Sequence, residues 1–238
     1  MTTHVKGRER PRVSVAKLGE YAADATPSRR ERILRDAKFP APYITARYLE
    51  AAAAVRRCLL DGGDVSAALA AEATRIAALP SMTKSEQTAR DCSARALRAL
   101  GRRVEALPLK GVTAIPLGRP SVKLSIEGVS VSVCPQVLLA RRLRAGSTQY
   151  GALLIVMRMS EALRPRSGQA VADLLRRALA TMGLEQEGTI DPRLCLVVDV
   201  FHPGIFHAAE RGGRRIARDV ECACREIAAR WPAIERAA

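Results

Sequence analysis

A chain of 238 residues that is 48% hydrophobic but only 3% aromatic must build its interior from Ala, Leu, Val and Ile, and it is long enough for one large domain or two small ones. No uninterrupted apolar span reaches the roughly 18 residues of a transmembrane helix, and the basic start MTTHVKGRERPRV has no apolar region behind it. Neither a membrane span nor a standard secretory leader is therefore expected, and the chain reads as cytoplasmic. With 39 Lys and Arg against 24 Asp and Glu the net charge is +15, which points to a polyanionic partner, DNA or RNA. Coding bias accounts for arginine over lysine but not for the missing acids.

Residues 1–12, with Lys6, Arg8, Arg10 and Arg12 around Gly7 and Pro11, read as a disordered basic arm. Residues 13–106 read as a helical region. Ser28 and Glu31 form a capping box for RRERILRDAK, which Pro40 ends. An Ala-rich helix over 43–60 stops at Asp61-Gly62-Gly63, and Asp64 caps the next helix, which Pro80 terminates. Thr83 and Glu86 open a long helix over 83–104.

Residues 107–121 hold three prolines and two glycines and read as a linker. Beyond it, 122–238 reads as an α/β domain whose core can recruit the helix 83–104. Val122–Ile126 and Val129–Val133 alternate around Glu127-Gly128, which predicts a hairpin. Residues 135–150, carrying Arg141, Arg142 and Arg144, read as a loop. The near-continuous apolar runs Gly151–Met157 and Leu194–Val200 flank a helical stripe behind Ser167, predicting a βαβ unit with two parallel strands buried on both faces. A turn at His202-Pro203-Gly204, a short strand IFHA and a helix over 212–230 complete an α+β fold with an αβββαβ-like order.

Chemistry-bearing motifs are sparse. Phosphate-binding glycine loops, the nucleophile elbow and the paired-histidine zinc helix are missing from the sequence. The six cysteines read as reduced and structural, because Cys222 and Cys224, two apart on a helix, diverge. His202 and His207, with Asp199 and Glu210 nearby, read as turn residues rather than metal ligands. Asp199 lies inside the apolar run LCLVVDV, so it needs an arginine partner or a solvent-facing strand end. Arg141, Arg142 and Arg144, with Arg158, Arg164 and Arg166 after the next strand, predict a phosphate-binding face if they converge at the sheet edge.

The order helix, hairpin, strand, helix, strand, helix from Thr83 onward resembles the core of the PD-(D/E)xK nuclease superfamily, over roughly residues 83–230. The resemblance implies an acid near the second strand and an acid-x-lysine on the third, binding Mg²⁺ or Mn²⁺. Pro135-Gln136 stands where Pro-Asp belongs, and Gly151–Met157 contains neither acid nor lysine. Glu86, Glu127, Asp199 and Lys123 are the remaining candidates for a relocated catalytic set. The resulting expectation is a non-catalytic nucleic-acid-associated protein on a degenerate nuclease-like core, without metal or cofactor. A relocated metal-dependent nuclease requires those carboxylates to meet in one cleft. A protein-assembly component requires an exposed apolar stripe on the helix 43–60.

Overall fold

The computed structural model describes residues 7–40, 47–118, 121–159 and 161–235. Its framework is a five-stranded mixed sheet of β2 (Thr113–Ile115), β5 (Val137–Arg142), β6 (Thr148–Val156), β7 (Thr189–Asp199) and β8 (Gly204–His207), in the order β2-β5-β6-β7-β8. Only β6 and β7 run parallel, joined by the crossover helix α6 (Pro165–Ala180); the other pairs are antiparallel. The predicted βαβ unit is present, and its apolar runs are continuous because side chains alternate between two buried faces. Ala152, Leu154 and Val156 join one core cluster with Cys195 and Val197, while Leu153 and Ile155 join the other with Leu196 and Val198.

The first face is covered by α1 (Val15–Ala23), α2 (Pro27–Lys38), α6, α7 (Gly213–Arg230) and a second sheet. That sheet is three-stranded, β1 (Arg12–Ser14) pairing parallel to β4 (Val129–Val133), which pairs antiparallel to β3 (Val122–Ile126). The opposite face is covered by α3 (Leu49–Asp61), α4 (Val65–Ala77) and α5 (Lys84–Gly101). The helices of 13–106 are thus divided between the two sides of the sheet. The fold class is α+β.

Several local expectations hold. β3 and β4 have the predicted bounds, with Glu127 (φ 47°) and Gly128 (φ 76°) both left-handed, as a two-residue primed turn requires. Thr83 accepts from Glu86 N at 3.2 Å, and Asp64 accepts from Ala67 N at 2.9 Å.

Others are corrected. Residues 135–150 are not a loop: Val137, Leu138 and Leu139 open β5, which turns back at Gly146 into β6. The hairpin β3–β4 does not contribute the first strands of the large sheet. It is inserted between β2, inside the expected linker, and β5, so in the order α5, β2, β5, β6, α6, β7 the first two strands are other residues than the sequence suggested, and the remaining elements are the expected ones. The helix α2 starts at Thr26-Pro27, not Ser28, since Thr26 accepts Arg29 N at 3.3 Å and proline is pre-organised for the first helical position. Likewise α6 starts at Pro165, and Ser167 donates to Asp24 instead of capping. Of the expected basic arm, residues 1–6 lie outside the described set. Arg8 is held in place, its N–H on Lys38 O at 2.9 Å and its carbonyl under the Trp231 indole at 3.0 Å.

Candidate nucleic-acid interface

The carboxylates nominated for a relocated catalytic set stay apart. Glu86 closes the cap of α5 by accepting Met82 N at 2.9 Å. Glu127 sits on the hairpin turn, 3.8 Å from Arg225, and Lys123 is exposed on β3. Asp199 is fully buried, but its partner is neither arginine nor solvent. Its Oδ2 accepts Leu163 N at 2.8 Å and its Oδ1 accepts Phe201 N and His202 N, each at 3.2 Å, with the His202 ring Nδ1 also at 3.2 Å. Arg103 reaches in from behind α5 to bind the carbonyls of Asp199 and His202. The carboxylate therefore ties the turn after β7 to the loop after β6, a structural duty that uses both oxygens.

The nuclease-type metal site fails on the same grounds. Gln136, where the resemblance asks for an acid, is buried and spends its side-chain oxygen on Ile155 N at 2.7 Å. Glu210, the other acid near His207, pairs with Arg193. Among the described residues no three His, Cys, Asp or Glu side chains are grouped to hold an ion. Gln136 and Asp199, committed to backbone N–H groups, do not fit the hard divalent cation that the resemblance implies at these positions.

The two arginine groups of the sequence reading do not converge. Arg142 pairs with Thr148 at the start of β6, whereas Arg158 follows its last residue, Val156. Eight rises of about 3.3 Å put them roughly 26 Å apart, at opposite ends of the sheet. At the first end Arg141 lies 3.7 Å from Asp191, with Arg142 and Arg144 exposed in and after β5.

At the second end, the C-terminal end of β6, a cleft of about 860 Å³ opens between α2 and the start of α6. Arg29, Arg32, Arg35, Arg158 and Arg164 line it, but so do Glu20, Asp24, Glu31 and Glu161. Buried Glu20 takes hydrogen bonds from Arg29 and Arg158, Glu161 pairs with Arg29 and Arg32 at 2.9 Å each, and Asp24 receives Ser167 N and Oγ. Burial by itself would raise the Glu20 carboxyl; the hydrogen bonds and charges of Arg29 and Arg158 outweigh it and hold it at about 2. This is a nearly self-neutralised network that clamps α1 and α2 to the sheet.

Unneutralised charge collects elsewhere, along α6 and α7. Two adjoining grooves, of about 440 and 210 Å³, share Ala170, Ile216 and Val220. They are lined by Arg166, Arg176, Arg177, Arg211, Arg214 and Arg215, against Asp173 and Asp219. Arg176 approaches Asp173 at 4.0 Å and Arg177 pairs with Glu221 at 3.3 Å. Arg166, Arg211, Arg214 and Arg215 are exposed and have no ion-pair partner among the described residues.

The placement follows from helical spacing. Val220, Ala223 and Ile227 bury one stripe of α7, which leaves 211, 214, 215 and 218, all arginine, on the outer side. Gly212, at φ 82°, begins the helix without a side-chain cap and lines the larger groove, which sets the positive end of the helix dipole beside it. Of the sequence-predicted arginines only Arg166 belongs here. The others were readable as R-x-x-R-R-x-x-R, a one-face pattern.

The apolar stripe of α3 is buried, Ala51, Ala54, Val55 and Cys58 packing in the second core cluster, while residues 43–46 of the expected helix lie outside the described set. All six cysteines are unpaired, and Cys222 is exposed while Cys224 is buried, as their divergence predicts. No helix among the described residues is long and apolar enough to cross a membrane. No protein-family model matches this chain, and no curated protein matches it.

Proposed function

We propose that this protein binds nucleic acid through the phosphate backbone, as a non-catalytic partner, on the face formed by α6 and α7. The observation that carries the reading is the set of four exposed arginines, Arg166, Arg211, Arg214 and Arg215, gathered around two grooves and the start of α7 with no ion-pair partner among the described residues. Eleven helical rises from Arg166 to Arg177 span roughly 16 Å, the length of four or five phosphates of one strand at about 3.4 Å each. Arginine forks and helix N-terminal amides are the usual phosphate-positioning groups, and such contacts carry no base sequence by themselves. The unpaired thiols suit a cytoplasmic setting.

The test is binding of labelled 16-nucleotide single strands and 16-base-pair duplexes across a salt series, with Mg²⁺ or Mn²⁺ present and products run on a denaturing gel. Four neutralised phosphates predict a log–log salt slope near −3.6, taking about 0.9 per phosphate on a duplex. Intact strands with that dependence support the proposal. Cleavage would restore the nuclease reading, and absence of binding at low salt would refute the interface.

A further inference from the structure

On the side of the sheet that α3, α4 and α5 cover, several arginines are neutralised within the chain. Glu72 of α4 takes Arg57 of α3 at 2.6 Å and Arg75 at 2.9 Å, and Arg90 of α5 lies 3.9 Å from Glu50. Arg95 and Arg98 in the last two turns of α5, and Arg102 at its C-cap, stand differently. All three are exposed and have no ion-pair partner among the described residues. Asp91, one turn before Arg95, accepts Gln87 Nε2 at 2.9 Å and makes no ion pair. The spacing R-x-x-R-x-x-x-R sets the three arginines on one face of the helix, while Ala96, Leu97 and Leu100 turn the other side into the core. Like charges three and four residues apart repel, so the free protein keeps this stripe at a cost.

The stripe lies across the sheet from the α6–α7 face. Leu97 and Leu100 of α5 belong to the core cluster of Leu196 and Val198, whereas Val171 of α6 and Val220 of α7 belong to that of Cys195 and Val197. The sheet and one helix layer on each side, about 10 Å apiece, put the two charged faces roughly 30 Å apart. Seven helical rises from Arg95 to Arg102 span about 10 Å, the reach of three phosphates of one strand at about 3.4 Å each. A 16-base-pair duplex is about 54 Å long, roughly a ninth of the persistence length of about 150 base pairs, and is too stiff to bend round the sheet and serve both faces.

We propose that the α5 stripe is a second phosphate-backbone site, and that one chain holds two duplexes at once and bridges them across its sheet. The inference rests on the phosphate-binding reading of the α6–α7 face, which takes the first duplex. The second is the weaker one, because the stripe offers three cations against four and ends at the negative pole of the helix dipole. The two sites therefore fill in sequence, and a titration at low duplex concentration reads the α6–α7 face alone. Separated by well over the Debye length of about 10 Å at 0.1 M salt, they fill independently.

The test is sedimentation equilibrium of the full chain at low salt with the 16-base-pair duplex in excess. The expected complex is one chain with two duplexes, the second leaving with a log–log salt slope near −2.7, about 0.9 for each of three phosphates. Arg95→Gln, Arg98→Gln and Arg102→Gln together, all at exposed positions, should reduce the complex to one duplex. The anisotropy titration of the first duplex should not move. One duplex per wild-type chain would overturn the bridge and leave the phosphate reading standing, as would a second duplex that survives the triple substitution. No duplex bound by the wild type at low salt would overturn both.

Discussion

Replacing Glu20 with Gln tests whether the cleft at the end of β6 is held by charge. Among the described residues Glu20 is the only carboxylate shared by Arg29 of α2 and Arg158 beyond β6, and its side chain is 9% exposed. Its carboxyl titrates at about 2 in the folded protein against an ordinary value of 4.5. At about 1.36 kcal/mol per pKa unit, the ionised group contributes about 3 kcal/mol at neutral pH. Because the folded value is the lower one, this stabilisation is complete above pH 4.5 and disappears as the pH falls through 2. Working the same linkage at pH 3 leaves about 1.4 kcal/mol. Urea unfolding of the wild type and Glu20→Gln, followed by far-ultraviolet circular dichroism, should give a difference of about 3 kcal/mol at pH 7 that falls by half or more at pH 3. A loss of the same size at both values would show that Glu20 acts through shape, and a loss below about 1 kcal/mol at pH 7 would show that solvent already screens the network.

On the α6–α7 face, Arg211→Gln with Arg215→Gln should halve the salt slope of nucleic-acid binding, to about −1.8, while Gln at Arg141, Arg142 and Arg144 should leave it unchanged; anisotropy titrations read both. Gly151→Ala places a Cβ 2.3 Å from the backbone oxygen of Leu194, where β7 cannot give way without breaking register, so thermal unfolding should show a loss of 2 kcal/mol or more. Titration with a thiol reagent should find Cys134 and Cys222 reacting in the native protein and the remaining four only on unfolding. Burial seals those four, and it pushes Cys195 and Cys224 up to about 12.

Periodicity was informative where an element is long or turns on a forced residue. The runs 151–157 and 194–200 betray strands because both faces are covered, and Glu127-Gly128 betrays a hairpin because only the left-handed region fits. It failed at β5, where three apolar residues are followed by Ala140, Arg141 and Arg142, half-buried or exposed at the sheet's end. That pattern is too short to separate from a loop. Nor can periodicity say which face of a sheet a helix covers: α1 and α3 carry similar apolar stripes yet lie on opposite sides. The same blindness affected the arginines. Arg142 and Arg158 are close in sequence, but the residues between them form a strand, and a strand separates its ends by its full length.

The arginines of α7 break a local rule, and the break is informative. A helix start favours acidic side chains, and like charges three and four residues apart repel; Arg211, Arg214, Arg215 and Arg218 violate both preferences. In the Glu20 cleft Arg29, Arg32 and Arg158 each pair with an acid of the same chain, whereas here Arg214 and Arg215 have no ion pair among the described residues. Departures from local consistency that the fold leaves uncompensated are expected where a ligand supplies the compensation. Arg214→Glu with Arg215→Glu should therefore raise the stability of the free protein by about 1 kcal/mol, or about 2–4 °C in Tm for a chain of this size, while abolishing nucleic-acid binding. The opposite pair of results, a lower Tm with binding retained, would mean that these arginines serve the fold and that the anionic partner lies on another face.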